Sequence, residues 1–278
     1  MSGFSADWLS LRESADHRAR NYEISSALAA RFAQRGAVSV VDIGCGAGSN
    51  LRATAALLPD EQHWRLVDND ADLLAAARAK LLEWADSSDT GGDRLVLQAG
   101  AKRITAEFAQ SDLNADLDGA LGREPDLVTS AAFFDLTSVP FIKRFAAAVA
   151  SRKAVLHAVL TYNGRQSWSP RHPADGAVIA AFHRHQMRDK GFGPAAGPTA
   201  SVELSEQFRL FGYSVLEGDS PWQLGGRDAA LIAELQAGHA AAVAETGAVD
   251  AKTLERWAAA KRIGVMVGHT DIFAAPGA

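Results

Sequence analysis

The sequence predicts an α/β protein built on a mostly parallel sheet. Short apolar stretches rich in β-branched residues, typical of buried strands, alternate with Ala- and Leu-rich stretches of helical spacing. Parallel strands joined by helices need right-handed crossovers, so helices should cover the sheet. The predicted order is helix 6–34 (one helix, or two joined near Ala15), strand 38–43, helix 51–58, strand 63–67, helix 71–85, strands 94–98 and 103–108 as a hairpin, strand 126–129, helix 141–150 and strand 154–160.

The pattern changes after residue 162. Gly, Pro, Trp and His surround one predicted helix, 176–189, which we interpret as part of an insertion over the sheet. Two late strands, 213–216 and 264–273, are separated by a second insertion that is helical. We therefore expect a single domain over residues 1–278, with an N-terminal helical cap (1–36), a cofactor-binding core (37–162) and two insertions on the substrate side (163–200 and 227–261).

Composition describes a globular protein with a net charge of −5. With 47% hydrophobic and 22% charged residues, the 278-residue chain can bury a sizeable core. The acidic balance argues against a general nucleic-acid binder, so we expect no DNA partner. The N-terminus is charged throughout, and no stretch reaches the ~20 apolar residues of a membrane span. A cytoplasmic location without membrane contact is the expectation.

Cysteine and histidine do not predict a metal site. Cys45 is the only cysteine, which excludes an intrachain disulfide and a cysteine-built metal site. His183 and His185 lie two residues apart on a predicted helix and point to different sides, whereas metal ligands on a helix lie four apart. We expect no metal cofactor.

A glycine-rich turn follows the first predicted strand, in the sequence VVDIGCGAG (40–48). Ligands of open parallel sheets bind at the carboxyl ends of strands, where glycines let the backbone approach them closely. A dinucleotide site has G-x-G-x-x-G, but here the third glycine, Gly48, comes one residue early. Asp42 would also repel a pyrophosphate and suits a cationic ligand. These features favour S-adenosylmethionine, a sulfonium nucleoside, over a dinucleotide.

The same residues resemble those of the class I S-adenosylmethionine-dependent methyltransferases. VVDIGCGAG resembles their first motif at each position. Asp68 resembles the acid that binds the ribose hydroxyls in this family, and Asp112 resembles the acid near the adenine amino group. PDLVTSAAFFDL (125–136) resembles the fourth motif, whose strand end lies beside the transferred methyl group, but it lacks the Asn/Asp-Pro-Pro-Tyr/Phe pattern of amide- and base-N-methylating enzymes.

The resemblance covers roughly residues 38–160 and implies both a fold and a cofactor site. The fold would be a Rossmann-like three-layer sandwich with a mostly parallel seven-stranded sheet, a last antiparallel strand and helical insertions that form a substrate lid. S-adenosyl-L-methionine would be the cofactor. The cofactor-binding residues implied in this way are Asp42, Gly44, Cys45, Gly46, Gly48, Asp68, Asn69, Asp112, Leu113 and Ser130.

Candidate catalytic and substrate-binding residues lie around the fourth motif and the first insertion. Asp135 follows the fourth strand, and it is interpreted equally well as a catalytic residue or as a cap of the next turn. His157 is the second catalytic candidate, but it lies within the fifth strand, where a structural histidine of the core is the simpler interpretation. A surplus of basic residues in the insertion suggests a lid that attracts an anionic substrate, although a solvated helix face is the commoner outcome. The candidates for substrate binding are Tyr162, Arg165, Trp168 and Arg184, and the N-terminal candidates for the methionine carboxylate or the substrate are Arg12, Arg20 and Tyr22.

We therefore predict methyl transfer from S-adenosylmethionine to an O or N nucleophile of a small molecule that could be anionic. Three alternatives remain open: a methyltransferase acting on RNA or protein, an NAD-dependent oxidoreductase, and a non-catalytic nucleotide-binding protein. An RNA partner is disfavoured by the acidic charge. The residues do not identify the acceptor molecule or the oligomeric state.

Overall fold

The computed structural model describes residues 4–91 and 94–277, and within them ten strands form one sheet. The spatial order is β3-β4-β5-β2-β1-β6-β7-β10-β8, and β9 pairs with β10. The strands are β1 (Ala37–Ile43), β2 (Glu61–Asp68), β3 (Ser87–Gly91), β4 (Arg94–Ala99), β5 (Lys102–Gln110), β6 (Leu127–Ala131), β7 (Val155–Ser169), β8 (Tyr213–Asp219), β9 (Trp222–Leu224) and β10 (Gly264–Pro276).

Seven of these strands form the predicted sheet with its antiparallel late strand. β5, β2, β1, β6 and β7 run parallel, and β10 is antiparallel to both β7 and β8. The other three strands lie outside the expected seven. β4 pairs with β5 and forms the predicted hairpin, and β3 pairs with β4 at the same edge of the sheet. β9 pairs with β10. Strand order reverses at β1, which pairs with β2 on one side and β6 on the other.

Ten α-helices complete the described part of the chain. They are α1 (Ala6–Ala19), α2 (Tyr22–Phe32), α3 (Ser49–Thr54), α4 (Ala71–Trp84), α5 (Leu117–Leu121), α6 (Val139–Ser151), α7 (Asp175–Gln186), α8 (Ala200–Leu210), α9 (Ala229–Ala244) and α10 (Ala251–Ala259). No helix within the described ranges combines the length and apolar character needed to cross a membrane.

Capping residues explain where two of the helices begin. Asp70 accepts hydrogen bonds from the backbone amides of Asp72 and Leu73, which confirms it as the cap of α4. The N-terminal cap consists of two helices, but a junction near Ala15 was wrong. The chain turns at Arg20, because Asn21 accepts from the first-turn amides and starts α2.

Three apolar clusters hold the layers together. Phe134, Phe145 and Phe208 lie in a cluster that covers one face of the sheet, and Leu28 and Leu81 in a cluster that covers the other. This is the predicted three-layer arrangement. A third cluster joins α1 to the helices of the two insertions and contains three of the four buried tryptophans, Trp168, Trp222 and Trp257.

The first insertion begins later than expected. Residues 163–169 continue β7 and pair with β10 from Gln166 onwards, so the strand runs nine residues beyond its predicted end at Leu160. A long antiparallel partner can extend a strand past the sheet, because β10 supplies the backbone hydrogen bonds that a buried strand needs. The helical part of the insertion therefore starts after the strand, at α7.

Candidate functional site

A cavity of about 600 Å³ lies at the carboxyl ends of β1, β2, β5 and β6, next to the reversal of strand order at β1. This is the position at which open α/β sheets bind ligands. Helix α1 contributes one wall, and the loop after α7 contributes another through Lys190 and Phe192. The predicted cofactor residues in the wall are Gly44, Cys45, Gly46, Asp68, Asn69, Asp112 and Leu113.

The glycine turn after β1 has the backbone conformation that glycine favours. Gly44, Gly46 and Gly48 have φ values of 61°, 51° and 73°. A Cβ on Gly44 would lie 2.6 Å from Cδ2 of Phe133, and one on Gly46 would lie 2.9 Å from Cδ1 of Leu9. Phe133 and Leu9 therefore pack against the turn so closely that only glycine fits at these two positions.

Gly48 has a different role from the other two glycines. It begins α3, and a Cβ there would lie 3.4 Å from the Cβ of Ala77 in α4. Gly48 is not in the cavity wall, and a Cβ at that distance would make an ordinary contact, so its φ of 73° is what favours glycine before α3.

Asp68, at the end of β2, connects this strand to the glycine turn by a hydrogen bond. One carboxylate oxygen accepts from the amide of Gly46 at 2.8 Å, and the other accepts from the amide of Asp70 at 3.0 Å. Burial raises the pKa of Asp68, and these amides oppose the rise. Because a carboxylate offers about four acceptor positions, two remain for ligand hydroxyls.

The far end of the cavity is formed by the segment after β5. Asp112 caps the turn that follows, accepting from the amide of Asn114 at 2.8 Å, and Leu113 is buried beside it. The segment between Asp68 and Asp112 is long because it includes β3 and β4, which extend the sheet edge. β5 still pairs directly with β2, so Asp112 reaches the cavity despite the extra hairpin.

Asp42 lies beneath the glycine turn rather than in the cavity wall. Its Oδ1 accepts from the side-chain amide of Asn50 at 2.8 Å, and its Oδ2 has no partner among the described residues. Burial raises the pKa of Asp42 to about 7, with Asn50 and Arg20 opposing the rise.

Arg20 is a cation that lines the cavity near Asn50 and the glycine turn. It donates to the hydroxyl of Thr54 at 2.9 Å and to the amide oxygen of Asn50 at 2.8 Å, and both of these partners are neutral. Its Nε is buried and has no partner in the described part of the chain. Burial lowers the pKa of Arg20, while Asp271 and two other carboxylates raise it. A ligand carboxylate would complete the environment of this charge.

Asp271 was not predicted from the sequence, yet it joins three elements around the cavity. It is fully buried in β10 and accepts from the amides of Asn21 and Leu160 and from the hydroxyl of Ser220. Leu160 lines the cavity and has φ of 57°, which its hydrogen bond to Asp271 helps to hold. The sequence offered no signal for this role, because the partners lie up to 250 residues away.

Arg12 and Asp16 line the opposite part of the cavity, on α1. Their side chains form a two-point ion pair at 2.9 and 3.1 Å, and Asp16 also accepts from the indole N–H of Trp222 at 3.0 Å. The Arg12 guanidinium lies 4.9 Å from the Trp222 ring centroid. Asp16 and Trp222 were missed by the sequence analysis; the four-residue spacing of Arg12 and Asp16 was the available signal. The third N-terminal candidate, Tyr22, is 83% exposed and lies outside the cavity wall.

The two catalytic candidates are buried and lie outside the cavity wall. Asp135 lies in the short turn after β6, and burial raises its pKa to about 6. His157 is fully buried in β7, with Nδ1 3.4 Å from the Thr129 hydroxyl, and burial lowers its pKa to about 3. Ser130, in β6, is buried as well and has a hydroxyl without a partner among the described residues.

None of the four substrate candidates lies in the wall of this cavity as far as the chain is described. The Tyr162 hydroxyl accepts from Gln166 at 2.6 Å and lies 2.8 Å from His183 Nε2. Arg165 pairs with Asp219, so part of the basic surplus of the insertion is neutralised. Trp168 lines a separate open groove, and Arg184 is exposed.

No protein-family model and no curated protein sequence matches the chain. Among solved structures it is similar to a cyclopropane-fatty-acyl-phospholipid synthase-like protein of Lactobacillus casei ATCC 334, at 15% identity over 98% of this chain and 94% of that one, with a TM-score of 0.54. A cyclopropane synthase of Mycobacterium tuberculosis matches over the same shares at 14% identity and a TM-score of 0.54. A candidate methyltransferase of Bacillus halodurans C-125 matches at 12% identity over 91% of this chain and 99% of that one, with a TM-score of 0.50.

These similarities show the fold. The chain has the class I methyltransferase fold that the resemblance over residues 38–160 implied, with seven core strands in the order β5-β2-β1-β6-β7-β10-β8. At identities of 15% or less, the acceptor and the reaction have to be argued from the site itself.

Proposed function

We propose that the protein transfers a methyl group from S-adenosylmethionine to an oxygen or nitrogen nucleophile of a small molecule. The observation that carries this proposal is the juxtaposition of Asp68 with the tight glycine turn in the wall of a 600 Å³ cavity, at the switch point of a class I methyltransferase fold. Cavities of this size are typical of small-molecule sites.

The cavity wall offers a partner for each part of the cofactor. Asp68 retains acceptor positions for the ribose hydroxyls, and Asp112 and Leu113 would face the adenine base. The Nε of Arg20 would donate to the methionine carboxylate. Gly44 and Gly46 lack a Cβ, which lets the side chains of Phe133 and Leu9 pack closely on the turn and complete the cavity wall beside it.

The protein's own contribution would be binding, alignment and exclusion of water. The cofactor supplies an electrophilic methyl group bound to a positively charged sulfur. Helix α1 covers the cavity with Leu9 and Arg12, and Phe133 and Phe192 make the adjoining wall apolar. Fixing two reactants in such a site lowers the barrier by removing translational and rotational freedom, and a dry site strengthens electrostatic interactions with the reacting groups.

The covered cavity favours a small acceptor over RNA or protein. Four apolar side chains, Phe4, Leu9, Phe133 and Phe192, surround its α1 side, and Lys190 is the cation that the first insertion adds to the wall. An RNA acceptor would need an open basic groove beside the methyl group, whereas this chain has a net charge of −5.

The proposal is tested by incubating the protein with S-adenosylmethionine labelled with tritium in its methyl group and a cell extract separated into small-molecule, RNA and protein fractions. We expect the label to appear in the small-molecule fraction. Label in RNA or protein would replace the proposed acceptor class. Asp68→Asn serves as the control for transfer that depends on this site.

A further inference from the structure

Asp135 is a buried carboxyl group with unused hydrogen-bonding capacity beside the cavity. It lies in the turn Phe134–Leu136 at the carboxyl end of β6 and is 8% exposed. Its Oδ1 has no hydrogen-bond partner among the residues that the structure describes. Its neighbours Phe133 and Leu136 both line the cavity. A buried acceptor of this kind is costly unless a donor is supplied.

The groups around Asp135 do not supply that donor. Arg12 is the cation that favours its ionised form, but the Arg12 guanidinium is already engaged at two points by Asp16. Two backbone amides also favour ionisation, that of Asp135 itself and that of Tyr162 in β7, but neither donates to Oδ1. Tyr162 directs its hydroxyl to Gln166 and His183 instead. Near neutral pH, Asp135 is therefore mostly a carboxylate, since its pKa is about 6, and its buried Oδ1 has no donor among the described residues.

We propose that Asp135 accepts a hydrogen bond from the nucleophilic group of the methyl acceptor and then takes its proton, so that the acceptor is an amine or a hydroxyl compound rather than a carboxylate. This inference rests on the proposed function. The nucleophile's lone pair forms the new bond to the methyl carbon, and the sulfur keeps the electron pair of the bond that breaks. The N–H or O–H proton passes to a carboxylate oxygen of Asp135, which ends the step neutral.

The position of Asp135 in the molecule supports this role over a purely structural one. A capping carboxylate satisfies its oxygens with the first-turn amides of a helix, as Asp70 does for α4. In α6 the equivalent amide, that of Phe141, is capped by Ser138 instead. The alternative interpretation of Asp135 as a cap is therefore not supported by its contacts.

The test compares two cofactor analogues by calorimetry, so that no acceptor is needed. S-adenosylhomocysteine lacks the methyl group, and sinefungin carries an ammonium group on the carbon that replaces the sulfur. This ammonium occupies the place of the methyl group and can donate to Asp135. We expect wild-type protein to bind sinefungin about tenfold more tightly than S-adenosylhomocysteine, because a hydrogen bond to a charged group is worth about that factor.

Asp135→Asn should reduce this preference to about twofold or less and leave the affinity for S-adenosylhomocysteine unchanged. The matched control is Asp219→Asn, which removes an exposed carboxylate outside the cavity and should keep the full preference. In the wild type, the preference should decline as the pH falls through and below 6, since Asp135 becomes protonated. This pH series uses only the wild-type protein, so it tests the role of Asp135 even if Asp135→Asn does not fold.

The two proposals fail in different ways in this experiment. If wild-type protein binds S-adenosylhomocysteine but shows no preference for sinefungin, or if Asp135→Asn keeps the preference, the role of Asp135 is overturned and the proposed function stands. If wild-type protein binds neither analogue, the proposed function itself is wrong.

Discussion

At Gly44, the backbone conformation and the ring of Phe133 both exclude a larger residue. The φ of 61° is unfavourable for other residues, and a Cβ would lie 2.6 Å from the ring. Gly100, in the turn between β4 and β5, has nearly the same φ of 58° but open space around it. The two glycines therefore separate the effect of backbone strain from the effect of steric contact.

We predict that Gly44→Ala and Gly100→Ala differ in stability and in binding. Gly100→Ala should lower the free energy of unfolding by about 1 kcal/mol, the strain of a positive φ, and leave binding of S-adenosylhomocysteine unchanged. Gly44→Ala should cost about 1–3 kcal/mol more, because Phe133 must move, and should weaken binding at least tenfold. Urea denaturation and calorimetry measure both effects. Equal losses in the two variants would show that the contact with Phe133 has no energetic role.

The buried carboxyl of Asp42 makes stability depend on pH. Its pKa is raised from 3.8 to about 7 in the folded protein, so the folded state holds its proton more tightly than the unfolded state does. The stability that this difference contributes is fully present below the unfolded pKa and is lost as the pH rises towards 7. Asp42→Asn lacks this loss.

We therefore predict that Asp42→Asn gains stability relative to wild type as the pH rises. The difference in free energy of unfolding should move in favour of the variant by about 1 kcal/mol per pH unit between pH 5 and 7 and should level off above 7.5. Other titrating groups, including Asp135, are common to both proteins and cancel. Parallel pH profiles of the two proteins in urea denaturation would refute the prediction.

How far single residues could be predicted depends on whether their partners are close in sequence. Gly44, Gly46 and Asp68 were recognised from short sequence patterns at the ends of two strands, and all three line the cavity. Asp42 belongs to the same pattern, but its side chain points beneath the turn to Asn50, because alternate side chains of a strand face opposite sides of the sheet. Asp16 joins Trp222 across 206 residues, which no local pattern indicates.

Helix α1 is the element that closes the cavity, and its attachment depends on Asp16. The indole N–H of Trp222 in β9 donates to Asp16, while the Trp222 ring lies beneath Arg12. Glu13 adds a second attachment through its ion pair with Arg52. Access to the cavity should therefore require local opening of α1 from β9.

We predict that Trp222→Phe loosens α1 without unfolding the domain. Phenylalanine keeps a ring beneath Arg12 but loses the donor to Asp16, which costs about 1 kcal/mol. The amide protons of α1 should then exchange about fivefold faster with deuterium. Trp257→Phe is the matched control, because it loses a comparable hydrogen bond to Asp175 in the insertions. Equal exchange rates of α1 in both variants would argue against Trp222 as its anchor.

At the level of elements, the predictions were best where local signals agreed. The helix capped by Asp70 and the hairpin of β4 and β5 were found because capping and turn residues mark their ends. The extension of β7 to Ser169 was missed, since its pairing with β10 depends on residues about a hundred positions away. The basic lid stays a prediction beside the alternative of a solvated helix face; Arg165, one of its basic residues, pairs with Asp219 of β8.

For the whole molecule, ligand binding should stabilise the complete fold, because the cavity wall draws on α1, the strands and the first insertion together. At a concentration of S-adenosylhomocysteine about 100 times its Kd, we predict a gain of about 2.7 kcal/mol and a rise in Tm of about 5–10 °C. NADH should leave the Tm unchanged. Differential scanning calorimetry measures both, and stabilisation by NADH instead would favour the oxidoreductase alternative.

The architecture was the most predictable level of all. Alternating strands and helices determine a parallel sheet, and the carboxyl ends of its strands determine where a ligand binds, so both followed from periodicity and the glycine turn. The identity of the acceptor did not follow, because the cavity wall opposite the glycine turn is assembled from α1, the segment after β6 and the loop after α7, which are distant in sequence.

The central claim is that Asp68 and the glycine turn bind the nucleoside of S-adenosylmethionine. Isothermal titration calorimetry with S-adenosylhomocysteine tests it most directly, using wild type, Asp68→Asn and the control Asp70→Asn, in which asparagine caps α4 about as well as aspartate. We predict binding by wild type and by Asp70→Asn within about threefold of each other, and binding at least about 100-fold weaker for Asp68→Asn. No heat with wild-type protein, or equal affinity for Asp68→Asn and wild type, would contradict the claim.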